Sequence, residues 1–215
     1  MKLTSKINDI KNKISGKITF KENLSKHSWF NLGGPAEVIY RPKNLNELTF
    51  FLKEIKGLGK IKVIGAGSNT LIRDGGFDGV IIKLGKSFNH ISLLNEETLI
   101  AGSSVLDKSL SNFALENSIS GFEFLSCIPG LVGGAIRMNS GCYENDVSKI
   151  LVSVQTINLD GKVQIYKAND INFFYRGSDL KSDLIIVSAT FKGKNIEKKN
   201  IEKKMENFLI KKKET

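Results

Sequence analysis

The spacing of apolar positions changes several times along the chain, and each change marks an element. Residues 36–40 form a short apolar run stopped by Pro42 and predict a strand. Asn44 followed by Glu47 resembles an Asn-led capping box. Leu45, Leu48, Phe51, Leu52 and Ile55 then recur at helical spacing. Residues 62–64 predict a strand entering a glycine loop, and 79–84 predict another strand. Residues 89–93 and 98–101 predict a hairpin around Asn95-Glu96-Glu97. Residues 105–116 predict a helix with Leu106, Leu110, Phe113 and Ala114 on one face. Residues 150–158 and 162–166 flank Asp160-Gly161, a strong hairpin signal. Residues 184–191 are a mostly apolar strand. From Asn195 the chain predicts a Lys-rich amphipathic helix whose apolar positions are Ile201, Met205, Phe208 and Leu209. The expected fold is α+β, with two adjacent subdomains and glycine loops between them.

Charge refines this picture. The net charge of +10 suggests a polyanion as partner, but its distribution does not. Residues 1–26 hold 7 Lys against 2 acids, and 192–215 hold 9 Lys against 4. The body, 27–191, has 16 basic and 16 acidic residues. A nucleic-acid domain carries its basic stripe on the folded face, with arginines and stacking aromatics. The excess here is terminal lysine, which predicts solvated ends and no nucleic-acid partner. Only Arg41, Arg73, Arg137 and Arg176 are arginines, so each is a candidate for work that lysine cannot copy. Cys127, Cys142, His27 and His90 have no metal-ligand spacing, and no metal is expected. No apolar run approaches the roughly 20 residues of a membrane helix, and the basic N-terminus opens into no apolar core. A cytoplasmic protein with free thiols is expected.

Three loops carry the candidate chemistry. The first, Gly65, Ala66, Gly67, Ser68, Asn69, Thr70 and Leu71, follows a predicted strand. Thr70 stands where the third glycine of a dinucleotide fingerprint belongs, no helix pattern follows, and no Gly-Lys-Ser/Thr is present, so the Rossmann and Walker readings fail. Two readings stay open. Consecutive N–H groups could cup a pyrophosphate, or the segment is a plain strand-turn-strand connection. The second loop, 121–143, contains Gly121, Gly130, Gly133, Gly134 and Gly141. It either lets a ligand approach the backbone closely or makes a tight corner. The third, Phe173-Phe174-Tyr175-Arg176-Gly177-Ser178, could present a cation at the edge of an apolar pocket, or it holds core aromatics and a surface arginine.

In this order, the three loops and the earlier stretch His27-Ser28-Trp29-Phe30-Asn31-Leu32-Gly33-Gly34-Pro35-Ala36 resemble the UDP-N-acetylenolpyruvoylglucosamine reductase (MurB, UDP-N-acetylmuramate dehydrogenase) family. The resemblance covers about residues 18–192. It implies the two-subdomain FAD-binding fold of the vanillyl-alcohol-oxidase/PCMH type. Its parts would be an arm at 1–17, subdomains at 18–85 and 86–193, and a helical tail at 194–215 leading to a third domain. FAD would meet residues 65–71 at its pyrophosphate. Ile128, Pro129, Gly130, Gly133, Gly134, Ala135, Met138 and Asn139, with Gly141, would line its flavin and ribityl. NADPH would supply the hydride for the enolpyruvyl UDP-sugar. Arg176 matches the catalytic arginine, and Tyr175 and Ser178 would support it or touch substrate. The resemblance leaves His27 a structural role, and Arg73 and Arg137 candidate contacts to phosphate or carboxylate. Cys127 and Cys142 read as packing residues.

Two departures accompany it. Glu144 stands where the family usually has glycine after the tyrosine. The family's proton-donating Ser and assisting Glu, which belong to its third domain, match no residue here, so a truncated enzyme is expected, with the missing domain or a partner packing on the C-terminal side. The alternative is an FAD-binding module without a complete reductase cycle.

Overall fold

The computed structural model describes residues 2–214; Met1 and Thr215, the outer ends of the two expected terminal segments, lie outside the described residues. The chain divides into two compact units. The first comprises 1–88, 157–164 and 182–185, and the second 89–156, 165–181 and 186–215.

The first unit opens with α1 (Leu3–Ile10). Leu3, Ile7 and Ile10 are buried at helical spacing, so this segment is not the solvated arm that its lysines suggest. Lys6 of α1 pairs with Glu54, 2.6 Å away. Strand β1 (Lys17–Asn23), which no alternation in the sequence announced, pairs antiparallel with β2 (Pro35–Arg41). The sheet order is β1-β2-β4-β3, with β3 (Lys60–Val63) and β4 (Phe77–Ile82) parallel to each other and to β2. Leu24, Ala36, Ile39, Ile64 and Ile81 form a core cluster beside the partly buried Ile72 and Phe77.

Helix α2 (Leu45–Glu54) begins where Asn44 predicted, and the Asn44 side chain accepts from the Glu47 N–H at 2.9 Å. Glu47 does not complete the capping box. Its carboxylate instead accepts from Tyr40 Oη at 2.6 Å and from the N–H groups of Ser15 (2.7 Å), Gly16 (2.9 Å) and Lys43 (3.2 Å). The fully buried Tyr40 ring stacks on Phe51 with centroids 3.9 Å apart. One carboxylate therefore ties β2, the start of α2 and the Ser15-Gly16 turn together.

In the second unit β5 (Ile91–Asn95) and β6 (Thr98–Gly102) form the expected hairpin. Helix α3 (Asp107–Glu116) starts later than its pattern suggested, because Leu106 is extended and half exposed as it bridges Leu131. Strand β7 (Ile119–Ser120) follows. The second loop contains an unpredicted short helix, α4 (Val132–Arg137), then the paired β8 (Gly141–Cys142) and β9 (Asn145–Asp146). Strands β10 (Leu151–Ile157) and β11 (Val163–Lys167) flank Asp160-Gly161. The third loop pairs β12 (Phe173–Phe174) with β13 (Gly177–Ser178). Strand β14 (Ile185–Lys192) completes a five-stranded sheet of order β11-β10-β14-β6-β5.

The tail forms β15 (Lys194–Asn195), paired with β7, and α5 (Lys198–Glu214). Ile201 and Met205 of α5 are buried, Phe208 is half buried, and Leu209 turns outward. Lys204 approaches the buried Glu123, which accepts from Ser120 Oγ at 2.6 Å and from the Gly121 N–H at 2.8 Å. The tail therefore packs on its own unit as well as carrying charge. No helix among the described residues is long and apolar enough to cross a membrane.

Two stability predictions follow from carboxylates in opposite situations. Burial works to raise the Glu47 pKa, but the bonds from Tyr40 and from the Ser15, Lys43 and Gly16 N–H groups outweigh it and hold it below the usual range. Its contribution is present above the unfolded carboxylate pKa and is lost as pH falls through the depressed folded value. Glu47→Ala is expected to lower unfolding stability by about 2 kcal/mol in urea at pH 7, with a smaller gap to the wild type at pH 3. Asp107 is 1% exposed, neither of its carboxylate oxygens has a hydrogen-bond partner, and burial pushes its pKa up to about 7. Here the favourable state is the protonated one, present below the unfolded pKa and lost as pH rises towards 7. In the cofactor-free protein, Asp107→Asn should therefore gain on the wild type in urea midpoint between pH 4 and pH 8. A gap independent of pH would refute this.

Candidate functional site

In the first unit β3 enters the loop at 64–76 and β4 leaves it, with no helix between. The segment 27–35 supports the loop. Trp29 N–H donates to Gly67 O at 3.1 Å, Ser28 Oγ to Thr70 O at 2.9 Å, and Gly34 N–H to Arg73 O at 3.0 Å. Gly67 has φ +73°, and a Cβ there would overlap the His27 carbonyl, so only glycine fits. Lys83, just after β4, donates from Nζ to Gly65 O at 2.8 Å. The loop carbonyls at 65, 67 and 70 are thus all tied to residues outside the loop. Ser68 and Asn69 form a turn between Gly67 and Thr70, and among the described residues no backbone N–H of 66–69 donates a hydrogen bond. Gly67 is buried, Gly65, Ala66, Ser68 and Thr70 are partly covered, and Asn69 and Leu71 are exposed. Such a run of unpaired N–H groups is suited to an anion.

His27 sits in an ion cluster, with Nε2 3.0 Å from Glu22 Oε1 and 3.3 Å from Arg41 Nη2. Arg41 also donates to Thr19 Oγ1 at 3.3 Å. The exposed Arg73 contributes its carbonyl, which accepts from Gly34 and Gly76.

In the second unit the loop at 128–139 is pinned to the junction between β6 and α3. Asp107 N–H donates to Gly130 O at 3.1 Å, Val132 N–H to Val105 O at 2.9 Å, and Gly133 N–H to Ser103 O at 3.0 Å. At this junction the side chains of Ser103 and Asp107 are buried with no hydrogen-bond partner. A Cβ on Gly134 would enter open space, and one on Gly133 would touch Ser103 Cβ at 3.0 Å. Ala135 is buried, Ile128 and Met138 are partly covered, and Pro129 is exposed.

Asn139, buried at φ +41°, joins the second loop to the third and to the residues after β9. Its Nδ2 donates to Phe174 O at 3.4 Å, and its Oδ1 accepts from the Ser148 N–H at 3.0 Å. Arg176 has φ +60°; its Nη1 donates to Gly141 O at 3.2 Å and its guanidinium lies 5.4 Å from the centroid of the exposed Tyr175 ring. Ser178 Oγ donates to Arg137 O at 3.1 Å, so it supports the second loop rather than Arg176. Arg137 Nη1 in turn donates to Leu180 O (2.7 Å) and Lys181 O (2.8 Å), which gives this arginine structural work. An open cavity of about 530 Å³ is lined by residues including Asn139, Cys142, Glu144, Asp146, Tyr175 and Arg176. Tyr143 and Glu144 both have positive φ, +52° and +63°, a conformation that glycine adopts at lower cost. Helix α5 reaches this hairpin, with Phe208 stacked on Tyr143 at 5.2 Å and Lys212 Nζ donating to Cys127 O at 2.7 Å. Both cysteines are free. Burial, ahead of the neighbouring Cys127, pushes the Cys142 thiol up to about 11 and keeps it protonated.

Sequence reasoning missed Lys83, Ser103, Asp107 and the Glu22-His27-Arg41 cluster. Lys83 had a faint signal as the first charge after the apolar run of β4. The others act through contacts distant in sequence.

Residues 36–166 match the FAD binding domain family. The chain is 52% identical over 196 residues to a protein of Pelagibacter ubique (strain HTCC1062) named UDP-N-acetylenolpyruvoylglucosamine reductase, covering 91% of this chain and 65% of the relative. A protein of the same name from Wolbachia pipientis wMel is 38% identical over 201 residues, covering 93% and 68%. This chain thus spans about two thirds of the length of these curated relatives. The crystal structure of UDP-N-acetylenolpyruvylglucosamine reductase (MurB) from Thermus caldophilus superposes with a TM-score of 0.81 at 26% identity, covering 94% of this chain and 71% of that one. Berberine bridge enzyme from Eschscholzia californica shares the fold alone, with a TM-score of 0.62 at 16% identity over 91% of this chain and 44% of that one. With its α+β fold, its glycine loops and these likenesses, the chain belongs to the UDP-N-acetylenolpyruvoylglucosamine reductase family and, within it, carries the FAD binding domain.

Proposed function

We propose that the chain is the FAD-binding part of a reductase that converts the enolpyruvyl ether of UDP-N-acetylglucosamine to UDP-N-acetylmuramate with NADPH, in cytoplasmic peptidoglycan precursor synthesis. On this reading it serves cell-wall growth, cell shape and division. The observation that carries the proposal is the Arg176 guanidinium, anchored to Gly141 O on a turn with positive φ and lining an open cavity.

The residues present fit FAD. The 65–71 loop offers unpaired N–H groups over a Gly67 that tolerates no side chain, which suits a diphosphate. The orphaned Ser103 and Asp107 side chains beside the 130–133 turn lack the partners that buried polar groups require, which suits a cofactor rich in hydroxyls. Ile128, Pro129, Gly130, Gly133, Gly134, Ala135, Met138, Asn139 and Gly141 would line the rest of it. Bound there, FAD supplies hydride transfer between NADPH and the substrate double bond.

The protein's own task is electrostatic. Reduction of the enolpyruvyl group builds negative charge on the carbon conjugated with the carboxylate. A guanidinium held in place before the reaction stabilises that charge without reorganising. Tyr175 would lie along the substrate or against Arg176. Ser178 is not the proton donor on this reading, since its hydroxyl is committed to Arg137 O. The rest of the reductase, whether a further domain or a separate partner, would pack on the C-terminal side, where α5 exposes Leu209 and Ile210.

The test is NADPH oxidation by FAD-reconstituted protein, with and without the enolpyruvyl UDP-sugar. Flavin binding and flavin reduction by NADPH are expected; substrate-dependent oxidation, where it is seen, should fall about 10²–10³-fold in Arg176→Ala with flavin binding intact. Bound flavin without substrate-dependent oxidation would reduce the chain to a cofactor-binding module. Gly67→Ala should abolish FAD binding while riboflavin fluorescence, read as a control for free flavin, is unchanged; retained FAD affinity would remove the loop from the site.

A further inference from the structure

A loop presents successive N–H groups to an anion only while its carbonyl oxygens are held elsewhere, because each peptide that turns over replaces a donor with a repelling acceptor. In the 65–71 loop two of the tied carbonyls, Gly67 and Thr70, are held by Trp29 and Ser28. The first, Gly65, is held by the Lys83 ammonium at 2.8 Å. Lys83 is itself well fixed. Its N–H donates to Tyr40 O at 2.9 Å, and the preceding Ile82 O accepts from Ile64 N–H at 3.0 Å, so the same register that ends β4 sets the start of the loop.

The charge at this position meets a carbonyl and no counter-ion. Among the described residues no carboxylate pairs with Lys83. Burial and then Arg41 hold its pKa below the usual lysine value, with only Glu22 opposing them. A neutral side chain would avoid that cost, so a half-buried lysine aimed at a loop carbonyl calls for an explanation beyond packing.

We propose that Lys83 is a positioning residue for anion binding: by holding the Gly65 carbonyl it fixes the 65–66 peptide with the Ala66 N–H turned to the ligand, and its charge favours a diphosphate on that loop. The inference rests on the reading that this loop receives the diphosphate of FAD. Lys83 takes no part in electron transfer, and its effect is on affinity for the diphosphate.

The experiment measures FAD affinity by flavin fluorescence and ADP affinity by calorimetry in the full chain, for wild type, Lys83→Met, Lys83→Gln, Lys83→Arg and Gly67→Ala. Urea unfolding of each cofactor-free variant is the control for folding. Lys83→Met and Lys83→Gln are expected to weaken both ligands by about tenfold to a hundredfold, the range for a hydrogen bond to a charged group, with unfolding midpoints close to wild type. Lys83→Arg, which keeps charge and donor, should restore most of the affinity. If Lys83→Met does not fold, Lys83→Gln carries the comparison. Unchanged affinity in the Lys83 variants while Gly67→Ala loses binding would overturn the role of Lys83 and leave the loop assignment standing. Loss of FAD affinity with ADP affinity intact would also overturn it, since the lysine would then act away from the diphosphate. A wild type that binds neither ligand would remove the loop assignment and this inference together.

Discussion

The carbonyl oxygens of Gly65, Gly67 and Thr70 are held by groups outside their loop, and the shape of that loop depends on this constraint. In the first unit Trp29, Ser28 and Lys83 take the carbonyls of Gly67, Thr70 and Gly65. In the second, the Asp107 N–H takes Gly130 O, while Ser103 and Val105 accept from Gly133 and Val132. Each loop is therefore shaped by a neighbouring segment rather than by its own sequence. The absence of a side chain at Gly67 is the other half of the condition, because the supporting segment passes too close for a Cβ.

Three carboxylates divide the structural work unequally. Glu47 and Glu123 are satisfied by several donors and tie distant segments together: Ser15-Gly16 to β2 and α2 in one case, Ser120-Gly121 in the other, with Lys204 of α5 nearby. Asp107 is buried more deeply than either and has no partner. Above the unfolded carboxylate pKa, a carboxyl of this kind lowers the stability of the ligand-free protein. Its position beside the Gly130 turn links that cost to the second loop.

Around Arg176 the geometry separates presentation from support. Arg176 sits in a left-handed turn with its guanidinium tethered by one carbonyl and otherwise facing a cavity. Arg137 spends its guanidinium on the carbonyls of Leu180 and Lys181 and its own carbonyl on Ser178. Two arginines that look equally available as residues thus have different fates, one holding the frame and the other facing the open space. Asn139 joins these parts, since one side-chain amide bonds both the third loop and Ser148.

The sequence by itself determined those elements whose signal is local. The helix after Asn44, the 91–102 and Asp160-Gly161 hairpins, the strand at β14 and the positions of the three loops follow from periodicity, a cap and turn chemistry, and the motif order pointed to the family. Tertiary structure decided what depends on partners far along the chain. Helix α1 emerged from a segment whose lysines masked a buried Leu3-Ile7-Ile10 face, and Leu106 turned outward because its backbone bridges Leu131. Helix α4 formed in a stretch whose two glycines argue against it. Glu47 left its capping box for Tyr40 and the Ser15-Gly16 turn. Lys83, Ser103 and Asp107 gained their significance only where folding brought them against loop backbone. Hydrogen bonds from side chain to backbone across tens of residues leave no periodic trace in a sequence, whereas spacing, caps and turns do.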